Sequence, residues 1–480
     1  MTPGRVAVVG AGIAGLSAAY ELRRAGVEVV VFEAADRPGG KLQTRQFVGM
    51  DLDEGADSFL ARVPWGVQLC RDLGLGEELI SPSVGAAQVV HQGRLAPLPE
   101  GLLLGVPTDL DALARSGLLS EAGLAAVQAD ADRAGTTGTS RGVNSDIDVS
   151  GDVAVGALVR SRLGDEAFEV LVDPLLSGVN AGQADELSAQ LGAAQLLAAA
   201  RTDPSLIGGA RAVAAAGLAA ATAAAESTGT AAGSTRPPIF YAIPGGMGRL
   251  VAALVEAIGA ERVRCGQPVT ALQPAPAGYQ LTVAGGTITV DAVVLATPAP
   301  VSAHLLRPFA GLVAAGLDEL RYASVALVGL AYRRDQLPGA LDSSGFLVPR
   351  RAGLFLTACS WSSSKFAHLG ADGIVRLRAS VGRSDDTRFA TLSDEEIVAR
   401  IQAELVDLMG IEGDPLAWRV RRWMGSLPQY RPGHTDNVER WETALAQSLP
   451  GVVLAGAALR GLGVPACIAS GQAAARSLLA

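Results

Sequence analysis

The sequence predicts an α/β (α+β) fold in which one parallel sheet is assembled from discontinuous segments. Three observations predict it. A strand, a glycine turn, a helix and a second strand follow one another within the first 33 residues. Apolar runs of the parallel-strand type return at 291–295 and 451–456. The chain has 480 residues, more than one hydrophobic core accommodates, so lobes with their own cores are expected between these runs.

The opening unit reads as follows. Arg5 to Val9 (RVAVV) is a short apolar strand, and Gly10-Ala11-Gly12-Ile13-Ala14-Gly15 is the turn. The stretch LSAAYELRRAG is helical, and a second apolar run ends before Glu33. This order and spacing make a Rossmann-like, dinucleotide-binding βαβ unit. Gly10 permits the tight turn, Gly12 lets a pyrophosphate reach the backbone, and Gly15 lets helix and strand pack closely. The helix N-terminus offers free N–H groups and partial positive charge to phosphate. Glu33 closes the second strand, where its carboxylate can accept from both ribose hydroxyls.

The residues after Glu33 select the dinucleotide. Ala34-Ala-Asp-Arg37-Pro-Gly39-Gly40-Lys41 is similar to the R-x-G-G-[RK] tail of many two-dinucleotide flavoproteins, which predicts FAD. Gly40 allows a second close backbone pass. Arg37 and Lys41 can reach the pyrophosphate or ribityl region; a solvated loop is the alternative. Gly55, Ala56, Asp57 and Ser58, after Asp53-Glu54, suit contact with the ribityl chain; the alternative is a turn in which Asp57 and Ser58 cap a helix.

Residues 236–300 read as a return to the same lobe: a strand, the turn Pro244-Gly-Gly-Met-Gly248, an amphipathic helix, short alternating strands and the buried strand 291–295. The layout resembles the second half of a flavoprotein FAD lobe, in which the residue matching Val269 contacts adenine through its backbone. The strand 451–456 ends at Gly456 and leads through Gly463, Val464, Pro465 and Ile468 into a closing helix. Pro465 suits a first helical position, and that helix would point its positive end at the flavin. The FAD-binding lobe is thus expected to comprise 1–80, 236–300 and 450–480. A sheet-containing substrate lobe (81–118 and 301–449) and a helical insertion with low-complexity loops (119–235) lie between. Residues 135–150 read as a flexible loop, and 205–235, rich in Ala, Gly, Ser and Thr, as partly disordered.

Composition narrows the function. Net charge is −9 and no basic tract stands out, which argues against a nucleic-acid partner. The hydrophobic fraction of 49% is largely alanine, and no segment reads as a membrane span. Cys70, Cys265, Cys359 and Cys467 form no C-x-x-C pair, which fits a reducing cytoplasm and argues against a zinc site. Of the four histidines, none sits in a hydrolase or metalloprotease motif, and no acid–base catalyst is nominated.

Several stretches carry a resemblance: Leu98 to Pro107, Asp173 to Gly182 (DPLLSGVNAG), Gly345-Phe-Leu-Val-Pro349, Trp361 to Lys365, Leu377 to Arg383, Trp423 to His434 (WMGSLPQYRPGH) and Leu459 to Ile468 (LRGLGVPACI). They are similar to the porphyrinogen oxidases of haem synthesis, a branch of the monoamine-oxidase-like flavoproteins, over most of the chain except about 120–150 and 205–235. The last two blocks are the most specific. Ala457 departs from the Asn or Asp of relatives. An arginine that mitochondrial-type relatives place after the residue matching Gly101 is also absent.

The resemblance implies the Gram-positive bacterial type, oxidising coproporphyrinogen III with FAD and dioxygen and releasing hydrogen peroxide. It implies that Trp423 contacts FAD and that Phe346, Leu347 and Lys365 face substrate; a core strand and a surface role are their alternatives, and Arg378 and Arg383 could also meet substrate carboxylates. Protoporphyrinogen oxidation, an amine oxidase, a carotenoid desaturase and a non-catalytic flavin-binding scaffold are the other readings. Peripheral membrane contact and transient handover of product to a ferrochelatase are partners the resemblance leaves open.

Overall fold

The computed structural model describes residues 3–135, 147–228, 238–370 and 372–480, with side chains at 221–228 left out. Two compact units emerge. The first contains 1–81, 239–321 and 434–480; the second contains 82–238 and 322–433.

A five-stranded parallel sheet forms the centre of the first unit. Its spatial order is Val263–Arg264, Glu28–Phe32, Arg5–Val9, Ala292–Leu295 and Val452–Leu454. The two central strands are buried almost throughout, as their unbroken Val/Ala/Leu runs require. Helix Ile13–Arg24 buries Leu16, Ala18, Ala19 and Leu22 completely. Each such leucine contributes about 1.5–3 kcal/mol relative to exposure. Helix Val464–Leu479 packs against it so closely that a Cβ on Gly471 would collide with the Ala14 carbonyl. An antiparallel sheet of Ala271–Ala275, Gly278–Val283 and Gly286–Val290 attaches alongside.

Residues 301–321 and 434–449, grouped with the substrate lobe by sequence, belong to this first unit. Their helices, Ala299–Leu306, Gly311–Asp318 and His434–Ser448, interlock through Gly316, where any side chain would strike the Trp441 indole. Packing of that kind has no periodic signature.

The second unit carries a seven-stranded, mainly antiparallel sheet. Its order is Ala417–Pro428, Tyr322–Arg333, Ile374–Val381, Leu356–Trp361, Gly345–Leu347, Gln88–His91 and Arg94–Pro97. Helix Asp394–Met409, opened by a capping box from Ser393 and Glu396, covers one face. Helices between 110 and 228 pack in a separate core within the same unit.

Within the alanine-rich stretch 205–235, expected to be partly disordered, Leu206–Thr228 is a helix. Alanine is the strongest helix former, and the helix start is secured by buried Asp130, which accepts from Ser205 Oγ (2.9 Å) and Ile207 N (3.0 Å). Leu206, Ile207 and Ala210 are buried. The loop expected at 135–150 falls largely outside the described residues, as do 229–237.

Candidate dinucleotide site

The glycine turn leaves the first strand at Gly10, whose N–H donates to Phe32 O at 2.7 Å. Gly10 has φ +102°, and a Cβ there would stand 2.6 Å from Ala296 O, so the turn requires glycine twice over. A side chain on Gly15 would run into the Gly10 carbonyl, which is how helix and strand come into contact.

Gly12 differs. It caps helix Ile13–Arg24 without any side-chain hydrogen bond, and a Cβ on it would meet nothing within 4 Å. The fold therefore does not require glycine at this position. The space in front of it is open, and the uncapped N–H groups of the helix start there favour an anion. Ala11, Ile13 and Ala14 are buried beneath this surface.

Glu33 sits at the end of the second strand, held from both sides. One oxygen accepts from Ala11 N at 2.8 Å and the other from Ala35 N at 2.9 Å. The carboxylate is thus fixed in orientation, and each oxygen keeps a lone pair for a hydroxyl. Gln267 N donates to Glu33 O and Gly266 N to Ala35 O, which brings the segment leading to Val269 alongside; Ala34 is exposed. The N–H and C=O of Val269 form no hydrogen bond among the described residues, although its side chain is buried. An adenine edge would satisfy such a backbone.

The second glycine pair returns to the first. Gly39 N donates to Ala11 O at 2.8 Å, and a Cβ on Gly40 would lie 3.2 Å from Gly12 Cα. Lys41 follows. Desolvation lowers its ammonium pKa, an effect opposed by the Cys467 sulfur. Lys41 is therefore beside the start of helix Val464–Leu479, and Cys467, raised to about 11 by burial, is a poor nucleophile. The Cys467 thiol points at Gly461 O and Leu462 O (3.7 and 3.6 Å). Gly463 precedes that helix as an uncapped N-terminus; Val464, Pro465 and Ile468 are buried in its first turns. Gly456, φ +114°, donates its N–H to Ser470 Oγ at 2.9 Å. Arg37 is half-buried in the loop between Glu33 and Gly39.

Gly55, Ala56, Asp57 and Ser58 are half-buried, with Ser58 Oγ donating to Asp57 at 2.8 Å, and Ala56 packs on the same core as Ile13 and Ala14. Their position depends on a residue that the sequence did not single out. Buried Asp53 accepts from Met247 N (3.0 Å) and Thr44 Oγ1, and Thr44 Oγ1 accepts from Gly248 N (2.8 Å). The turn at 244–248 is thereby fastened to the strand before Gly55. His434 was likewise missed as a positioning residue: Nε2 donates to Ala458 O and Leu459 O, both at 3.0 Å, holding the turn after Gly456. Its place as the last residue of the WMGSLPQYRPGH block was the only signal.

Trp423, Phe346, Leu347 and Lys365 belong to the second unit. Trp423 is half-buried on the edge strand, with the Arg421 guanidinium 4.5 Å from its ring centre. Phe346 is 2% exposed, inside the core beneath helix Asp394–Met409. Leu347 turns to the opposite face, within reach of Gly178. The Lys365 ammonium lies 5.1 Å from the Phe366 ring centre. Arg383 is buried and donates to Val348 O. No group of three or more metal-ligating side chains occurs among the described residues, and no helix there is long and apolar enough to cross a membrane.

The donor set fits a flavin dinucleotide: two uncapped helix N-termini, a fixed carboxylate, an open backbone at Val269 and a cation at Lys41. Comparison with known proteins agrees. Residues 13–479 match the family described as flavin containing amine oxidoreductase. The coproporphyrinogen III oxidase of Bacillus subtilis (strain 168) is 31% identical, with 98% of this chain and 96% of the relative aligned. That of Mycobacterium bovis is 35% identical across 100% and 98%. Among solved structures, an Exiguobacterium sp. 255-15 protein described as a protoporphyrinogen oxidase superposes with TM-score 0.84 at 32% identity, covering 100% of this chain and 99% of its own. Cyclohexylamine oxidase from Brevibacterium oxydans shares the fold at TM-score 0.69 and 18% identity, covering 99% of both chains. The chain belongs to the flavin-containing amine oxidoreductase family and is an FAD-dependent oxidase.

Proposed function

We propose that the protein oxidises coproporphyrinogen III to coproporphyrin III in haem biosynthesis, with dioxygen as final acceptor and hydrogen peroxide as by-product. The observation that carries this reading is similarity along the whole chain to bacterial proteins of that name, at 29–35% identity. Bound FAD supplies the two-electron acceptor for each of three successive dehydrogenations. The chain's own part is to bind and orient. Gly12 and the helix N-termini hold the diphosphate, Glu33 fixes the adenosine ribose, and Lys41 adds positive charge beside the second helix start. Trp423 is assigned to FAD by resemblance. No side chain is assigned as a proton carrier, and His434 is committed to backbone carbonyls.

Protoporphyrinogen oxidation is the second reading, favoured by the Exiguobacterium structure and by a chloroplast protoporphyrinogen oxidase 28% identical. The test is the rate at which porphyrin fluorescence appears from each porphyrinogen under air. Faster turnover of coproporphyrinogen is expected; equal or faster use of protoporphyrinogen overturns the assignment. The reaction is placed in the cytoplasm, a reading supported by four free cysteines, three of them buried. Handover of product to a ferrochelatase and peripheral membrane contact complete the expectation.

A further inference from the structure

The sheet of the second unit is closed on one face, while on the other its central strands present half-buried residues. Val328, Leu330, Leu377, Ala379 and Val381 are buried in the core under helix Asp394–Met409. The register sends the alternate residues to the opposite face. Gly329 is paired with both Arg378 and Arg419, and Leu327 with both Ser380 and Arg421. Directly paired residues share a face, so Arg378, Arg419 and Arg421 project from one side. Arg422, of opposite parity, bonds Asp394 at 2.6 Å on the helix-covered side, which fixes the alternation independently.

Strand geometry sets the spacing. Arg378 and Arg419 stand about 10 Å apart across a glycine, and Arg421 stands about 7 Å along the strand from Arg419. All three are half-buried. An apolar strip of Leu327, Ala358 and Leu347 runs beside them, and Ser360 is paired with Arg378. Arg421 Nε is buried with no hydrogen-bond partner among the described residues, while its guanidinium lies on Trp423. A protein of net charge −9 repels a polyanionic substrate, and a local basic face removes that barrier.

We infer that this face reads the peripheral carboxylates of the tetrapyrrole: Arg378, Arg419 and Arg421 take propionates while Leu327 and Leu347 lie under the apolar rings. The inference rests on the porphyrinogen reading above and adds the basis of selectivity. Coproporphyrinogen III carries four propionates and protoporphyrinogen two, so the arginines favour the former. Guanidinium–carboxylate pairs are bidentate and strong when partly desolvated.

The experiment compares steady-state oxidation of both porphyrinogens by the flavin-loaded wild type, Arg378→Gln/Arg419→Gln and Arg421→Gln. In the double variant, KM for coproporphyrinogen should rise about thirtyfold with kcat moved less than about twofold, and KM for protoporphyrinogen about threefold or less. Lysine at the same positions should restore only part of the loss, since it keeps the charge but not the bidentate geometry. Flavin absorbance and circular dichroism establish that the variants are folded. If they are not, the wild type alone decides: its KM for coproporphyrinogen must climb with ionic strength more steeply than for protoporphyrinogen, and parallel slopes overturn the inference. Unchanged KM in variants of a wild type that does oxidise coproporphyrinogen overturns the arginine assignment and leaves the function standing. A wild type that oxidises neither porphyrinogen overturns the function and this inference with it.

Discussion

The two candidate sites are built by different means. In the first unit, the proposed nucleotide site is made mainly of backbone: glycine turns, uncapped helix starts and open amides, with Glu33 as the fixed side chain. In the second, the accessible sheet face is made of side chains whose direction follows from strand register. Backbone sites need particular residues at particular steps of a short motif. Register-built faces bring together residues such as Leu347, Arg378 and Arg419 that no local motif connects.

The largest effect that sharpens this contrast lies at Gly12. Gly12→Glu should give colourless protein, because the carboxylate would collide with and repel the diphosphate. The fold should persist, since a Cβ there meets nothing within 4 Å. Absorbance near the flavin bands together with circular dichroism checks both halves, and a yellow, active variant contradicts the assigned phosphate turn.

Phe346→Ala and Leu347→Ala come next. Phe346 fills the core, and its truncation should cost about 3–5 kcal/mol. Leu347, on the accessible face, should lose about half as much or less and show its effect in KM. Denaturant unfolding alongside kinetics separates the two, and equal losses would break the assignment of faces.

Third, Asp372→Asn should destabilise the second unit by about 2 kcal/mol. The fully buried Arg376 would lose a bidentate partner, and the partial exposure of Asp372 keeps the loss below that of a sealed pair. The same pair predicts acid sensitivity. Hydrogen bonding from Arg376 lowers the Asp372 pKa from 3.8 to about 2. Its contribution is therefore present above pH 4 and lost as pH falls toward 2. A melting curve in which the wild type and Asp372→Asn converge over that interval is expected; constant separation would contradict it. The smallest effect is His434→Ala, about 1 kcal/mol from one shared hydrogen bond, read as a lower melting temperature and weaker FAD retention.

Much of the first unit's fold was legible because its turn is sequential. Gly10 and Gly15 lie in one short motif, and the close packing at each leaves glycine in the chain. Asp53 and His434 were not legible: a buried acid holding a turn almost 200 residues away, and an imidazole bonded to carbonyls 24 residues on, have no spacing rule. Phe346 shows the limit of a strand motif. Gly345-Phe-Leu was recognised as a strand, but alternation alone does not say which of Phe346 and Leu347 turns to the core; pairing with Gln88 and Cys359 does. The alanine-rich helix at 206–228 was not legible because few bulky residues mark it and its start depends on Asp130 from another helix.

The strand order of the parallel sheet has a consequence for how the protein is made. Ala292–Leu295 pairs with Val452–Leu454, and the helix beginning at Val464 covers the helix beginning at Ile13. On a ribosome, residues 82–433 emerge before those partners exist, so the second unit has all its strands while the first still lacks an edge and a wall. Closure of this sheet then waits until residues 452–479 have emerged, and the half-built sheet is the stage at which the nascent chain most needs protection from other chains.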